Sequence, residues 1–364
     1  MDRQRYAAPL LAVFTSVLLS HAPAHASERF AIPGNDVRIW NLAGRTVIEP
    51  ATGDQMIVLV DRAGADAAKL RIATDPVGGK PALRVLYGSN RVVYRDPDMS
   101  RGSSTNLHVR DDGTWGGDSE RGEHKDWWKS MTARRVTVSG SGSGLEAHAD
   151  LRVQVPKGRQ VSVFTAVGKA TLTNVDGRVL FDGGSGPVSA SQCAGELSID
   201  IGSGSVTVNR FDGDLMVDTG SGSVSLTDVA GARLHVDTGS GDVDGTQLSA
   251  EVIEVDTGSG SVDLGAVHSS NLKVDTGSGS VDISLLSTRC ALDVDTGSGG
   301  VRIEVPAGFT ADVDIETGSG GIRSDMPMSV IEKDRDVLRG RIGNGGARLH
   351  VDTGSGAVAL VRTR

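Results

Sequence analysis

The five residues Asp-Thr-Gly-Ser-Gly occur six times in this chain, beginning at Asp218, Asp237, Asp256, Asp275, Asp295 and Asp352. Looser copies begin at Asp182, Asp200 and Glu316, and a faint one aligns at Phe164. Successive copies start 18, 18, 18, 19, 19, 19, 20, 21 and finally 36 residues apart. A short unit returning at so regular a period specifies a solenoid, in which each unit buries its apolar side only against its neighbours.

The residues around each copy define the unit. Three positions before the acid stand Leu197, Leu215, Leu234, Ile253 and Leu272; one position before it stand Ile199, Val217, Val236, Val255 and Val274. Six positions after it come Val206, Val224, Val243, Val262 and Val281. The residue between the first two columns is mostly polar, as at Ser198, His235, Glu254 and Lys273. This alternation is the period of a half-buried strand, and β-branched residues suit it. Gly-Ser-Gly between the two strands can take positive φ and turn the chain sharply. By the same alternation each Thr points inward and each Asp outward.

Nothing in the pattern alternates from unit to unit, which disfavours a stack of antiparallel hairpins. The expected fold is therefore all-β, a single-stranded parallel β-helix with about 18–21 residues per coil. Each coil then advances about 4.8 Å, so the steps from Asp182 to Asp352 give a rod of about 40 Å. Six Phe, three Tyr and four Trp among 364 residues suit so narrow a core.

Residues 1–26 read as a secretory signal peptide: Arg3 and Arg5, an apolar run from Ala7 to Leu19, then Ala24-His25-Ala26 before Ser27. The run is short for a membrane span. The mature chain is expected to be exported, periplasmic or extracellular, with no membrane span after cleavage. It would carry 35 Lys+Arg (37 minus Arg3 and Arg5) against 45 Asp+Glu (46 minus Asp2). A net charge of −10 argues against a nucleic-acid partner. Cys193 and Cys290 fall five coils apart, about 24 Å along the axis, too far for a disulfide. Two free, buried thiols are expected.

Residues 27–87 hold further strand-like runs and are expected to start or cap the solenoid, Asn41 to Val47 resembling a worn corner. Residues 88–131 form an irregular, charged insertion with three of the four tryptophans, Trp115, Trp127 and Trp128. Their rings either fold over a solenoid face or stack on a sugar or partner. The solenoid proper is expected over 132–364, with Ser139 to Gly144 as a corner and a hairpin or loop excursion at about 325–346.

Asp-Thr-Gly-Ser is also the aspartic-protease signature, where two carboxylates share a proton. A ladder of parallel copies outside a rod offers neither a cleft nor a facing pair. The calcium-binding β-roll is a second comparison, but its motif occupies both corners of each turn and here only one corner has it. Adjacent carboxylates about 4.8 Å apart repel by about 0.9 kcal/mol in water. The expected offset is a hydrogen bond to each Asp from its own corner amides; a cation along the ladder is the alternative. The insertion's His108, Asp111, Asp112, His124 and Asp126, and Glu332, Asp334 and Asp336 of the excursion, carry no catalytic spacing. No catalytic residue, metal ligand or cofactor is expected. The candidate binding residues are Trp115, Trp127, Trp128 and the outward Asp218, Asp237, Asp256, Asp275 and Asp295.

The Asp-Thr-Gly-Ser-Gly-x-Val rungs, Asn41-Leu42-Ala43-Gly44, and the ending Ile342-Gly343-Asn344-Gly345-Gly346 with Leu349 to Gly356 resemble the DUF4097 family of bacterial β-strand repeat proteins, which carries an adhesin label. The resemblance covers most of residues 35–364. It implies an exported or envelope-associated β-solenoid and supplies no catalytic residues. The functional expectation is a non-enzymatic structural or adhesin-like binding role at the cell envelope, toward an unidentified polymer or protein. The alternatives are a carbohydrate-active β-helix enzyme working at the 88–131 loop and a cation-stabilised envelope scaffold.

Overall fold

The computed structural model describes residues 27–96, 103–116 and 133–363. Nearly all its strands belong to one 24-stranded sheet wound into coils; a 3-stranded sheet stands apart. The regular coils are Val188–Ser203, Val206–Ser221, Val224–Thr238, Val243–Thr257 and Val262–Thr276. Each pairs parallel with the next, like residue opposite like: Leu197 with Leu215, Val206 with Val224, Val255 with Val274. The apolar columns are buried throughout. The fold is the expected parallel β-helix.

A third inward column exists that the repeat did not disclose. Val175, Cys193, Phe211, Val229, Leu248 and Val267 are buried and stack in register from Cys193 on. Each follows a non-glycine residue in the left-handed region: Asn174, Gln192, Arg210, Asp228, Gln247 and Ala266, all at φ of 55–57°. The looser corner is thus a sharp turn followed by a short paired side. Coils lengthen there too: Phe211 leads to Leu215, but Val229 leads to Leu234, with a register shift between Asp212 and Leu215. The extra residue falls where no apolar column passes, so the core keeps its stacking.

Both ends are built out of sequence order. The first coil, Asp36–Ala43 with Thr46–Pro50, stacks directly on Gln160–Val167 with Ala170–Thr173. The intervening residues close that end. Ala82–Leu86 lies beside Asp36–Ala43, and His148–Val155 beside Thr46–Pro50; antiparallel Met56–Ala63 and Glu28–Ile32 follow outward. Arg134–Ser139, expected from the sequence as a solenoid strand leading into the corner at Ser139 to Gly144, instead joins Arg91–Val93 and Ser104–Val109 in the 3-stranded sheet. The alternation of Val136 and Val138 specifies a strand but not which sheet receives it. At the far end, Arg348–Thr353 slots between Ala291–Thr296 and Ala311–Thr317. The hairpin Met328–Lys333 and Val337–Ile342 then lies antiparallel on Ala311–Thr317. The cysteines are free and buried, and burial raises both thiols, Cys290 to about 11.

Candidate binding face

The second glycine of each corner explains why the motif cannot drift. A Cβ on Gly260 would stand 2.0 Å from the Gly241 carbonyl oxygen, and one on Gly299 1.7 Å from that of Gly279. Positive φ holds at this position only in the early coils, at Gly44, Gly168, Gly186, Gly204 and Gly222. From Gly241 onward the requirement is space between coils, not the left-handed conformation expected from sequence. The inward Thr completes the corner. Thr257 Oγ1 donates to Gly241 O at 3.2 Å, Thr276 to Gly260 O at 3.0 Å, and Thr353 to Gly299 O at 3.0 Å. Thr353 Oγ1 also accepts from Gly356 N of its own corner at 3.0 Å.

With Thr satisfying the corner, the Asp side chains are left outside. Asp200, Asp218, Asp237, Asp256, Asp275, Asp295 and Asp352 stand opposite one another in unbroken register. Among the described residues, Asp218, Asp237, Asp256, Asp275, Asp295 and Asp352 take no hydrogen bond or ion pair, and all but the half-buried Asp275 are exposed. The expected bond from the corner amides is therefore absent. Corner N–H groups go instead to a neighbouring coil, as Gly258 N to Thr238 O of the preceding one at 3.0 Å. The ladder's repulsion is visible in its acidities: lost hydration and then Asp218 raise Asp200, while lost hydration, Asp275 and Asp352 raise Asp295.

The ladder has two different ends. Toward the N-terminal end its positions pass from Asp182 to Phe164 and Trp40. Trp40 stacks on Phe164 at 4.8 Å, and Trp115 meets Phe164 edge-on at 6.2 Å. Trp40 Nε1 donates to Trp115 O at 2.9 Å. Trp115 is only 6 % exposed, which leaves its ring no free face for a ligand. Trp127 and Trp128 lie outside the described residues. At the other end, past Asp352, Glu316 meets Arg339 of the hairpin, which also holds Asp314 at 2.9 Å and Glu332 at 2.5 Å. Sequence reasoning missed these terminators, although the faint copy at Phe164 already put an outward aromatic in the acidic column. Arg339 had no periodic signal at all.

The carboxylates form a line along a flat face and do not converge. Among the described residues, no group of three or more His, Cys, Asp or Glu side chains is placed to hold a metal ion.

The sequence profile of the Toastrack DUF4097 family matches residues 123–361. The chain belongs to that family. In this Toastrack chain the match takes in every Asp-Thr-Gly-Ser-Gly rung, while the first coil at Asp36–Pro50 lies before it. A solved structure from Clostridium sporogenes ATCC 15579, described as a "putative cell adhesion protein", covers 93% of this chain and 100% of its own at 9% identity and a TM-score of 0.18. No curated protein matches the sequence. No helix among the described residues is long and apolar enough to cross a membrane.

Proposed function

We propose that this protein is an exported, non-enzymatic binding module of the cell envelope, whose acidic face engages an extended partner. One observation carries the reading: identical, unpaired, exposed carboxylates repeat once per coil on a rigid scaffold. Leaving like charges in register destabilises the rod by a few tenths of a kcal/mol per neighbour once solvent screening is counted. The fold has Thr available for its corners and does not need them. Groups spaced about 4.8 Å apart can be engaged many at a time by a polymer or another repetitive surface, so weak single contacts sum to useful avidity. Adjoining Ser221, Ser240, Ser259 and Ser278 are exposed and add hydroxyls to the same edge.

The test is a binding screen against cell-wall and capsular polysaccharides, read by co-sedimentation and by product analysis. Retention without shorter products is the expected outcome, and the triple substitution Asp218→Asn, Asp237→Asn, Asp256→Asn should abolish it. Release of shortened chains would make the protein an enzyme; binding unaffected by the triple substitution would move the site off the ladder.

A further inference from the structure

Apolar surface collects at one end of the rod. Among the described residues four large apolar side chains are exposed, and two of them, Val330 at 52% and Ile331 at 78%, lie on the last strand, Met328–Lys333. Glu28–Ile32, the outermost strand at the other end, exposes none. Met328–Lys333 pairs on one side with Val337–Ile342, and its other edge is bare among the described residues. The register fixes its faces. Met328, Val330 and Lys333 stand opposite the buried Ile342, Gly340 and Leu338, and line a groove of about 300 Å³ with Ile322 and Met326. Ser329 and Glu332 stand opposite Arg341 and Arg339 on the outer face. Ile331 is the extra residue at the register shift, sharing with Val330 the place opposite Gly340.

We propose that this edge pairs antiparallel with the same edge of a second copy, joining two rods at their C-terminal ends about a two-fold axis. Val337–Ile342 is antiparallel to Ala311–Thr317, and Met328–Lys333 is antiparallel to Val337–Ile342, so the edge strand runs in the coil direction. Turning a copy by half a revolution about an axis perpendicular to the sheet reverses strand and rod together and keeps groove side with groove side. The second rod then extends away from the first. One register suits both strands: Met328 meets Lys333 of the second copy, Ser329 meets Glu332 and Val330 meets Ile331, each pair occurring twice. All six residues are paired, and the extra residue of one strand falls opposite Val330 of the other, so the two bulges cancel. A slip of one residue would set Ser329 against Lys333 or Met328 against Glu332, turning outer side chains against groove ones. No like charges stand opposite, and each Glu332 comes one strand away from the other copy's Arg341, of opposite sign. Lys333, which has no ion pair within the single chain, lays its stem along Met328 with its ammonium in solvent. Charges and a bulge ordinarily blunt an edge against indiscriminate pairing; this edge admits its own copy and rejects others. The contact is isologous and closes at two copies. Because the second copy's strands are reversed, its acidic ladder runs down the opposite edge of the joined sheet.

Sedimentation velocity on protein produced from the full reading frame tests the association, and disulfide capture tests the register. Expected is a monomer–dimer equilibrium that stops at two copies. Ile331→Lys puts two cations beside the two-fold axis and should move association to about tenfold higher concentration or beyond, with strand content by circular dichroism unchanged. For the register, Ser329→Cys and Glu332→Cys proteins are mixed and oxidised. They should join as a mixed disulfide, because opposite residues of an antiparallel pair lie within disulfide reach. Each protein alone should stay uncoupled, since the two copies of either residue are offset by about 10 Å along the strands. The native Cys193 and Cys290 are buried and do not compete. A monomer at every concentration, growth past two copies, association untouched by Ile331→Lys, or no preference for the mixed disulfide would overturn the proposal.

Discussion

Single atoms decide the corner. A β-carbon on Gly260 has no room beside the Gly241 carbonyl, so the coils must part by more than an ångström to admit it. Gly260→Ala should therefore destabilise by about 3 kcal/mol in chemical denaturation, the upper range for overpacking; Ser259→Ala beside it should be near neutral. The threonines divide by whether their hydroxyl has a partner. Thr257→Val loses a bond to Gly241 O and should cost about 1 kcal/mol. Thr219 Oγ1 is buried with no partner, and the coil before it has Ile201 at the same place. Thr219→Val should accordingly be neutral or stabilising in the same assay. At the left-handed column, Ala266 has only a methyl to lose, so Ala266→Gly should stabilise by about 0.5–1 kcal/mol despite the added freedom of the unfolded chain.

The ladder behaves as one element, because its residues feel each other across coils. Asp295 has its acidity weakened in the folded state by lost hydration and by Asp275 and Asp352. The folded form thus holds that proton more tightly than the unfolded chain does. Linkage makes this contribution unfavourable above the folded value, and the penalty disappears as pH falls toward the ordinary carboxylate range. Asp295→Asn should raise the melting temperature at pH 7, with the gap to wild type narrowing toward pH 4. Added salt should narrow it at pH 7 as well, since exposed charges are screened. An effect that grows on acidification would contradict the repulsion.

At the scale of the molecule, the closing coil lies inside the stack and not at its end. Arg348–Thr353 is flanked by Ala291–Thr296 and Ala311–Thr317, and Val358–Arg362 by Val301–Val305 and Ile322–Ser324. Deleting residues 348–364 should consequently detach the terminal hairpin unit instead of shortening the rod by one step. Hydrogen exchange should show protection lost over residues 311–342 and retained over residues 188–276. Protection retained in both would mean that the terminal unit is held by something other than the inserted coil. Stability in such a stack is a sum of neighbour contacts, so damage to one interface stays local.

Chemistry repeated along the chain was readable from sequence: Leu215, Val217 and Val224 recur at fixed offsets because every coil meets the same neighbour, and period alone then gives fold, inward Thr and outward Asp. The third column stayed hidden because Cys193, Phe211 and Leu248 share apolarity and not identity, and their offset to the next Leu varies from coil to coil. What covers Phe164, what meets Glu316 and where Arg348–Thr353 inserts were decided only by tertiary structure. Each depends on segments distant in sequence meeting once, at an end, where no repetition announces the contact.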